Sequence, residues 1–288
     1  MARGLDHVVH AVHDLDAAAA LYRRLGFTVG ARNRHPWGTH NCIVQLPGFF
    51  IELLAVVEPE KIPPPRPAAF SFGDFVRGFL ARSQGLAMLV LESTDAASDR
   101  EAFRRADIGD FELFRFEREG KRPDGVPVPV GFSLAFAHDR RAPDIGYFVC
   151  QQHHPQNFWN PAFQQHANTA CAIEGVVLVA DNPTDHHIFL SAFAGERELS
   201  ATSTGVSVST PRGSIQVMDP AGFRIHYDLE PPDVSAGARL AALRFRISNK
   251  EIARTTLGQG QLSALERMSR IIVGPSAAMG ATLVFEPV

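Results

Sequence analysis

Residues 4–27 carry three signals in direct succession, and few folds accommodate them in that order. Val8, His10 and Val12 alternate with His7, Val9 and Ala11, the period of a strand whose two faces differ. Asp14 stands where a helix N-cap belongs, and Leu15, Ala18, Ala19, Tyr22 and Leu25 form one apolar stripe behind it. Gly26 occupies the place of a left-handed C-cap residue. Phe27-Thr28-Val29 then opens a second strand, residues 42–46 a third and, after a Pro47-Gly48 turn, residues 49–54 a fourth. The predicted order is βαβββ, with His7 on the first strand and Glu52 on the last.

The opening pattern recurs along the chain. A second unit starts at residues 85–91, passes through Ser93-Thr94-Asp95 into a helix carrying Ala102, Phe103 and Ala106, and stops at Ile108-Gly109. Its closing strands are predicted at residues 131–136 and 146–151. A third begins at residues 173–179, with a helix started by Asn182-Pro183 and lined by Ile188, Phe189, Ala192 and Phe193. Its last strand is expected within residues 218–227, Asp219 and His226 included. A shorter, worn fourth unit spans residues 240–286. Proline-rich spacers at residues 58–67 and 230–233 separate units, and residues 70–82 read as an extra helical insert. A single module exposes an apolar sheet face, and pairing two curls the sheets into a cup around a cavity. The expectation is an α+β chain of four βαβββ modules in two cup-like domains, residues 1–170 and a degenerate copy at 171–288.

A net charge of −3, without a dense Lys/Arg run, argues against nucleic acid as a partner. No apolar stretch approaches a membrane span, and the first residues run into a strand with no signal-peptide core. Cys42, Cys150 and Cys171 are odd in number and lack Cys-x-x-Cys spacing, so a reducing cytoplasm is the expected compartment. The expected partner is a small molecule, and a homodimer is compatible with this picture. The 21 Phe against 3 Tyr suggest an apolar cavity wall suited to a hydrophobic or aromatic ligand.

Taken together, Asp6-His7, Asp14-Leu15-Asp16, Leu25-Gly26-Phe27 and Ile51-Glu52-Leu53-Leu54 resemble a module of the vicinal oxygen chelate superfamily, the glyoxalase, bleomycin-resistance and extradiol-dioxygenase group. The resemblance implies a divalent metal (Zn, Mn, Fe or Ni) held on first and last strands and chelated by two neighbouring substrate oxygens. It places His7 and Glu52 among the ligands, with Glu52 also able to act as base. In the second unit Met88 stands at the His7 position, a poor ligand for such metals. Ungapped alignment puts Cys150 opposite Glu52, with Gln152 and His154 on its face. A one-residue bulge would bring in Gln151 or His153 instead. Similarity of residues 150–168 to a glyoxalase-like subfamily favours His153 as the third ligand.

His35, Thr39 and Asn41 are expected to orient a substrate beside Trp37, with Trp159 and His166 also near it, while His40 reads as a solvated hairpin residue. His186-His187 is expected to face solvent. The activity implied is that of a lyase, isomerase or dioxygenase. The alternative is a non-catalytic binder of the antibiotic-sequestering, bleomycin-resistance type, which the Met88 departure favours.

Overall fold

A computed structural model describes residues 1–121 and 126–288. The first module comprises β1 (Leu5–Ala11), α1 (Leu15–Arg24), β2 (Asn33–Arg34), β3 (Thr39–Leu46) and β4 (Phe49–Val56). The insert is α2 (Phe72–Leu80), and the second module runs β5 (Gly85–Glu92), α3 (Ala96–Arg105), β6 (Phe114–Lys121), β7 (Pro127–Ala137) and β8 (Gly146–Gln152). A short α4 (Pro155–Phe158) leads to the third module, β9 (Ala170–Val179), α5 (His187–Ala194), β10 (Leu199–Thr202), β11 (Gly205–Ser209) and β12 (Ser214–Met218), followed by α6 (Pro220–Tyr227). The fourth is β13 (Arg239–Ile247), α7 (Lys250–Gln259), β14 (Ala264–Arg267), β15 (Arg270–Val273) and β16 (Thr282–Pro287).

The strands form two eight-stranded sheets, ordered β2-β3-β4-β1-β5-β8-β7-β6 and β10-β11-β12-β9-β13-β16-β15-β14. The fold is α+β, with tandem modules paired into two cup-like halves. In both sheets the two first strands meet antiparallel at the centre, and each lies parallel to the last strand of its own module. No described helix is long and apolar enough to cross a membrane.

Local chemistry explains the elements. The Asp14 carboxylate accepts from the amides of Asp16 (2.9 Å) and Ala17 (3.0 Å), capping α1. Gly26 follows that helix at φ +85°, and a Cβ there would meet Thr256 Cγ2 at 2.5 Å and Asn168 N at 2.9 Å. Position 26 therefore needs glycine both for its backbone and for the close approach of the C-terminal half. One apolar core runs through both halves. It joins one face of each sheet to α1, α3, α5 and α7.

Several sequence expectations change. Residues 27–29 form no strand, and β2 begins only at Asn33. Residues 220–227 form α6 rather than a strand, because β12 ends at Met218 and Asp219 caps a helix with Pro220 at its first turn. His186 does not face solvent. It is 3% exposed, and its Nδ1 lies 2.6 Å from Asp139 Oδ2 across the two halves.

A second buried histidine links the halves. His10 Nε2 donates to the carbonyl of Met279 (2.9 Å), which leaves Nδ1 to accept from the Tyr22 hydroxyl (2.9 Å). Burial, partly offset by the Met279 bond, holds His10 down at about 4, so the folded protein keeps it neutral. A depressed histidine contributes stability above its unfolded value near 6.5 and loses it as pH falls toward 4. His10→Gln should therefore be less stable than wild type at neutral pH. Denaturant melts should show that gap narrowing, by on the order of 3 kcal/mol, as pH falls through this window. A gap independent of pH would contradict the assignment.

Candidate active site

The concave face of the first sheet forms a partly open cavity of about 90 Å³ with a largely aromatic wall. Strand pleating builds it, since alternate residues share a face. Phe50, Glu52 and Leu54 come from β4, Phe114, Phe116 and Arg118 from β6, Phe132 and Leu134 from β7, and Phe148 and Cys150 from β8. His35 and Trp37, just before β3, and Thr39 and Asn41 on it complete one side, and Phe72 of α2 closes another.

Two polar clusters interrupt this wall. The first is built on His7, whose ring stacks on Phe50 (centroids 4.2 Å apart) and meets the edge of Phe148 at 5.4 Å. The Asp6 carboxylate lies 2.5 Å from His7 Nδ1, and His7 Nε2 bonds no described residue. Asp6 also accepts from Gln152 Nε2 at 3.2 Å. Cys150 approaches the same carboxylate. Burial, reinforced by the negative charges of Asp6 and Glu52, pushes its thiol well above the ordinary 9.0. Asp6, His7 and Cys150 are the one group of three or more His, Cys, Asp or Glu side chains, among the described residues, whose ligand atoms lie within 4.8 Å of one another.

The second cluster surrounds Glu52. Asn41 Nδ2 donates to Glu52 Oε1 at 2.5 Å, and Asn33 Nδ2 donates to Asn41 Oδ1 at 3.0 Å. His35 stacks on Trp37 with centroids 4.7 Å apart, its Nδ1 lies 2.9 Å from Thr39 Oγ1, and its Nε2 is 4.0 Å from Glu52. Burial holds His35 below its ordinary value and outweighs the pull of Glu52, so the imidazole is neutral at physiological pH. Burial likewise lowers Arg118, against the attraction of Glu52.

The expected site residues divide. His7, Glu52, His35 and Asn41 line this cavity, whereas His153, Trp159 and His166 are not among its lining residues. Register keeps His153 off the cavity face. The β7–β8 ladder runs unbroken from Ala137↔Tyr147 to Phe132↔Gln152, so no bulge shifts the strand. Cys150 stays on the cavity face, while His153 lies within hydrogen-bonding distance of Ser133 Oγ (2.8 Å). His166 accepts from the Thr28 amide through Nδ1 (3.0 Å) and donates to the Gln45 carbonyl through Nε2 (2.8 Å), so both ring nitrogens are engaged by the backbone. Trp159 packs on Phe158 with centroids 5.0 Å apart. His40 is not solvated: it is 4% exposed, with Nε2 3.0 Å from Glu58 Oε2. Sequence reasoning missed Asp6 as a partner of His7, because strict alternation puts neighbours on opposite faces. A register shift between Leu5 and His7 in the β1–β5 ladder breaks that alternation. It also missed Arg118, although the alternation of Phe114, Phe116 and Arg118 was there to be read.

The first cluster suits a divalent cation. Imidazole nitrogen, carboxylate oxygen and thiol sulfur are the donor types a borderline metal takes. Gln152 Oε1 is a buried acceptor left without a partner beside them. A histidine whose Nδ1 faces a carboxylate is set to ligate through Nε2.

Thiol chemistry gives a direct check on this geometry. Cys150 and Cys42 are buried with raised pKa values, whereas Cys171 is exposed. Iodoacetamide at mildly alkaline pH should therefore label Cys171 alone in the native protein and all three cysteines after denaturation, as read by peptide mass spectrometry. Rapid native labelling of Cys150 would contradict the closed, acid-flanked thiol.

A family profile described as a glyoxalase-like domain matches residues 5–193, which span the whole first sheet. No curated protein matches the sequence significantly. Solved structures of similar fold include a hypothetical protein from Staphylococcus aureus, 14% identical with a TM-score of 0.71, over 99% of this chain and 100% of that one. A triple mutant of 4-hydroxymandelate synthase from Streptomyces coelicolor is 13% identical with a TM-score of 0.59, over 99% and 92%. A xylose isomerase-like TIM barrel/4-hydroxyphenylpyruvate dioxygenase fusion protein is 11% identical with a TM-score of 0.52, over 100% of this chain and 49% of that one. At such identities the likeness is one of fold.

Proposed function

Because the chain belongs to the glyoxalase-like domain family, we propose that its first cup is the active site of a metal-dependent enzyme acting on a small organic substrate with two neighbouring oxygens. The reaction class is that of a lyase, isomerase or dioxygenase, and the names of two fold neighbours, a synthase and a dioxygenase, are in keeping with it. One observation carries the reading: the one cluster of ligand-type side chains among the described residues, Asp6, His7 and Cys150, is buried against the cavity that Glu52 also faces.

His7, through Nε2, and Cys150 would hold the ion, with Asp6 behind the imidazole at Nδ1. This revises the expected set of His7, Glu52 and His153. A divalent ion there would supply Lewis acidity toward substrate oxygens. Asp6 fixes the His7 ring through Nδ1. Glu52 Oε1 is engaged by Asn41, and its second oxygen bonds no described residue, so the carboxylate is oriented and free to take a proton from a substrate carbon. Neutral His35 shares a proton network with Asn41 and Thr39, and the Phe and Trp37 rings exclude water around the reacting atoms. The second reading, a non-catalytic small-molecule binder, is favoured by β5. It sets Val90 opposite His7 and Met88 opposite Val9, and so adds no ligand from the second module's first strand.

Elemental analysis of protein purified without chelator or nickel resin separates these readings. About one equivalent of a transition metal is expected in wild type, with loss in His7→Ala and Cys150→Ser and retention in Glu52→Gln and His153→Ala. Circular dichroism should show the same fold throughout. Wild type without metal even after reconstitution would leave the binder; loss in Glu52→Gln or His153→Ala would restore the originally expected ligands.

A further inference from the structure

We infer that Arg118 is the anchor for a ligand carboxylate, and that this cavity takes an aromatic carboxylate. The inference rests on the cavity being the ligand site and not on the metal. Arg118 shares a face of β6 with Phe114 and Phe116, and all three line the cavity. Its guanidinium forms no hydrogen bond or ion pair with any described residue.

That isolation sets it apart within this molecule. Every other described arginine withdrawn from solvent is paired: Arg3 with Asp99, Arg100 with Glu101, Arg212 with Glu92, Arg239 with Asp144, Arg267 with Asp228, and Arg244 and Arg270 with Glu286. A partly desolvated guanidinium without a partner is costly to leave so, and a planar two-oxygen anion satisfies it best. Glu52 attracts Arg118 through space but forms no ion pair with it, and its Oε1 is taken by Asn41. Glu52 in the same cavity also favours a singly charged carboxylate over a phosphate dianion, by like-charge repulsion. The remaining wall, with Trp37, Phe72, Phe114 and Phe116 in edge-to-face contact, suits a flat ring.

The test uses full-length protein treated with chelator, so that its outcome is independent of the metal. The probes are 3-phenylpropanoate and its neutral counterpart 3-phenylpropanamide. Trp37, one of only two tryptophans in the chain, lines the cavity, so quenching of tryptophan fluorescence reports binding. Wild type should bind the carboxylate about ten-fold or more tighter than the amide. Arg118→Met should bring the carboxylate down to the level of the amide without moving amide affinity, and Arg118→Lys should keep part of the preference. Equal binding of the two probes by wild type, or binding of neither, would overturn the inference. An equal loss for both in Arg118→Met would overturn it too, by showing that Arg118 only offsets the charge of Glu52. Metal content in the elemental assay should be unchanged in Arg118→Met, so either idea can fail alone.

Discussion

The antiparallel pairing of first strands, β1 with β5 and β9 with β13, is the interaction on which the rest of this structure depends. A module by itself has only four strands and one uncovered face. Joining two at their first strands makes an eight-stranded sheet whose two central strands are flanked by last strands in parallel register. Both central ladders are interrupted by register shifts, which sharpen local twist and help curl the sheet. One of these shifts falls between Leu5 and His7, where it lets Asp6 and His7 meet.

The same framework gives opposite results in the two halves. By register, Gly175 lies opposite Arg244 as His7 lies opposite Val90, and Gln216 lies opposite Val177 as Glu52 lies opposite Val9. Glu286 stands two residues beyond the strand partner of Arg244, as Cys150 stands two beyond the partner of Val90. Arg244 grips both Glu286 oxygens, at 2.9 and 2.8 Å, and reaches Gln216 Oε1 at 2.9 Å. The polar groups of the second cup thus satisfy one another, and Phe223 and Tyr227 of α6 are buried with Val177, Ala242 and Val284 where the first half keeps open space. The second half uses its sheet for packing.

Unsatisfied chemistry is what distinguishes the first cup. Its buried and half-buried polar groups include a guanidinium with no partner among the described residues, a histidine nitrogen left open by its neighbour's carboxylate, and an amide oxygen likewise without a described partner. Interiors normally pair such groups, because an unpaired one forfeits solvation and gains nothing. Their collection in one aromatic cavity is what supports the proposal that a ligand is the missing partner.

Much of this was legible in one dimension. Alternation put His7 on a different face from Val8, Asp14 and Gly26 bounded the first helix, and recurrence of that punctuation gave four modules. These are local or periodic signals, and backbone geometry enforces them wherever the chain goes. What the sequence could not express was which strands would meet and in what register. His153 and Cys150 are separated by an unbroken ladder that no propensity dictates, and Asp6 joins His7 only through an irregularity in pairing with a strand some eighty residues away. Asp219-Pro220 could open a helix or continue a strand until α6 had a hollow to fill. The sequence by itself determined the modules and their faces, because those follow from neighbours along the chain. The tertiary structure alone decided which side chains face one another across the cup, because that depends on contacts between residues that only folding brings together.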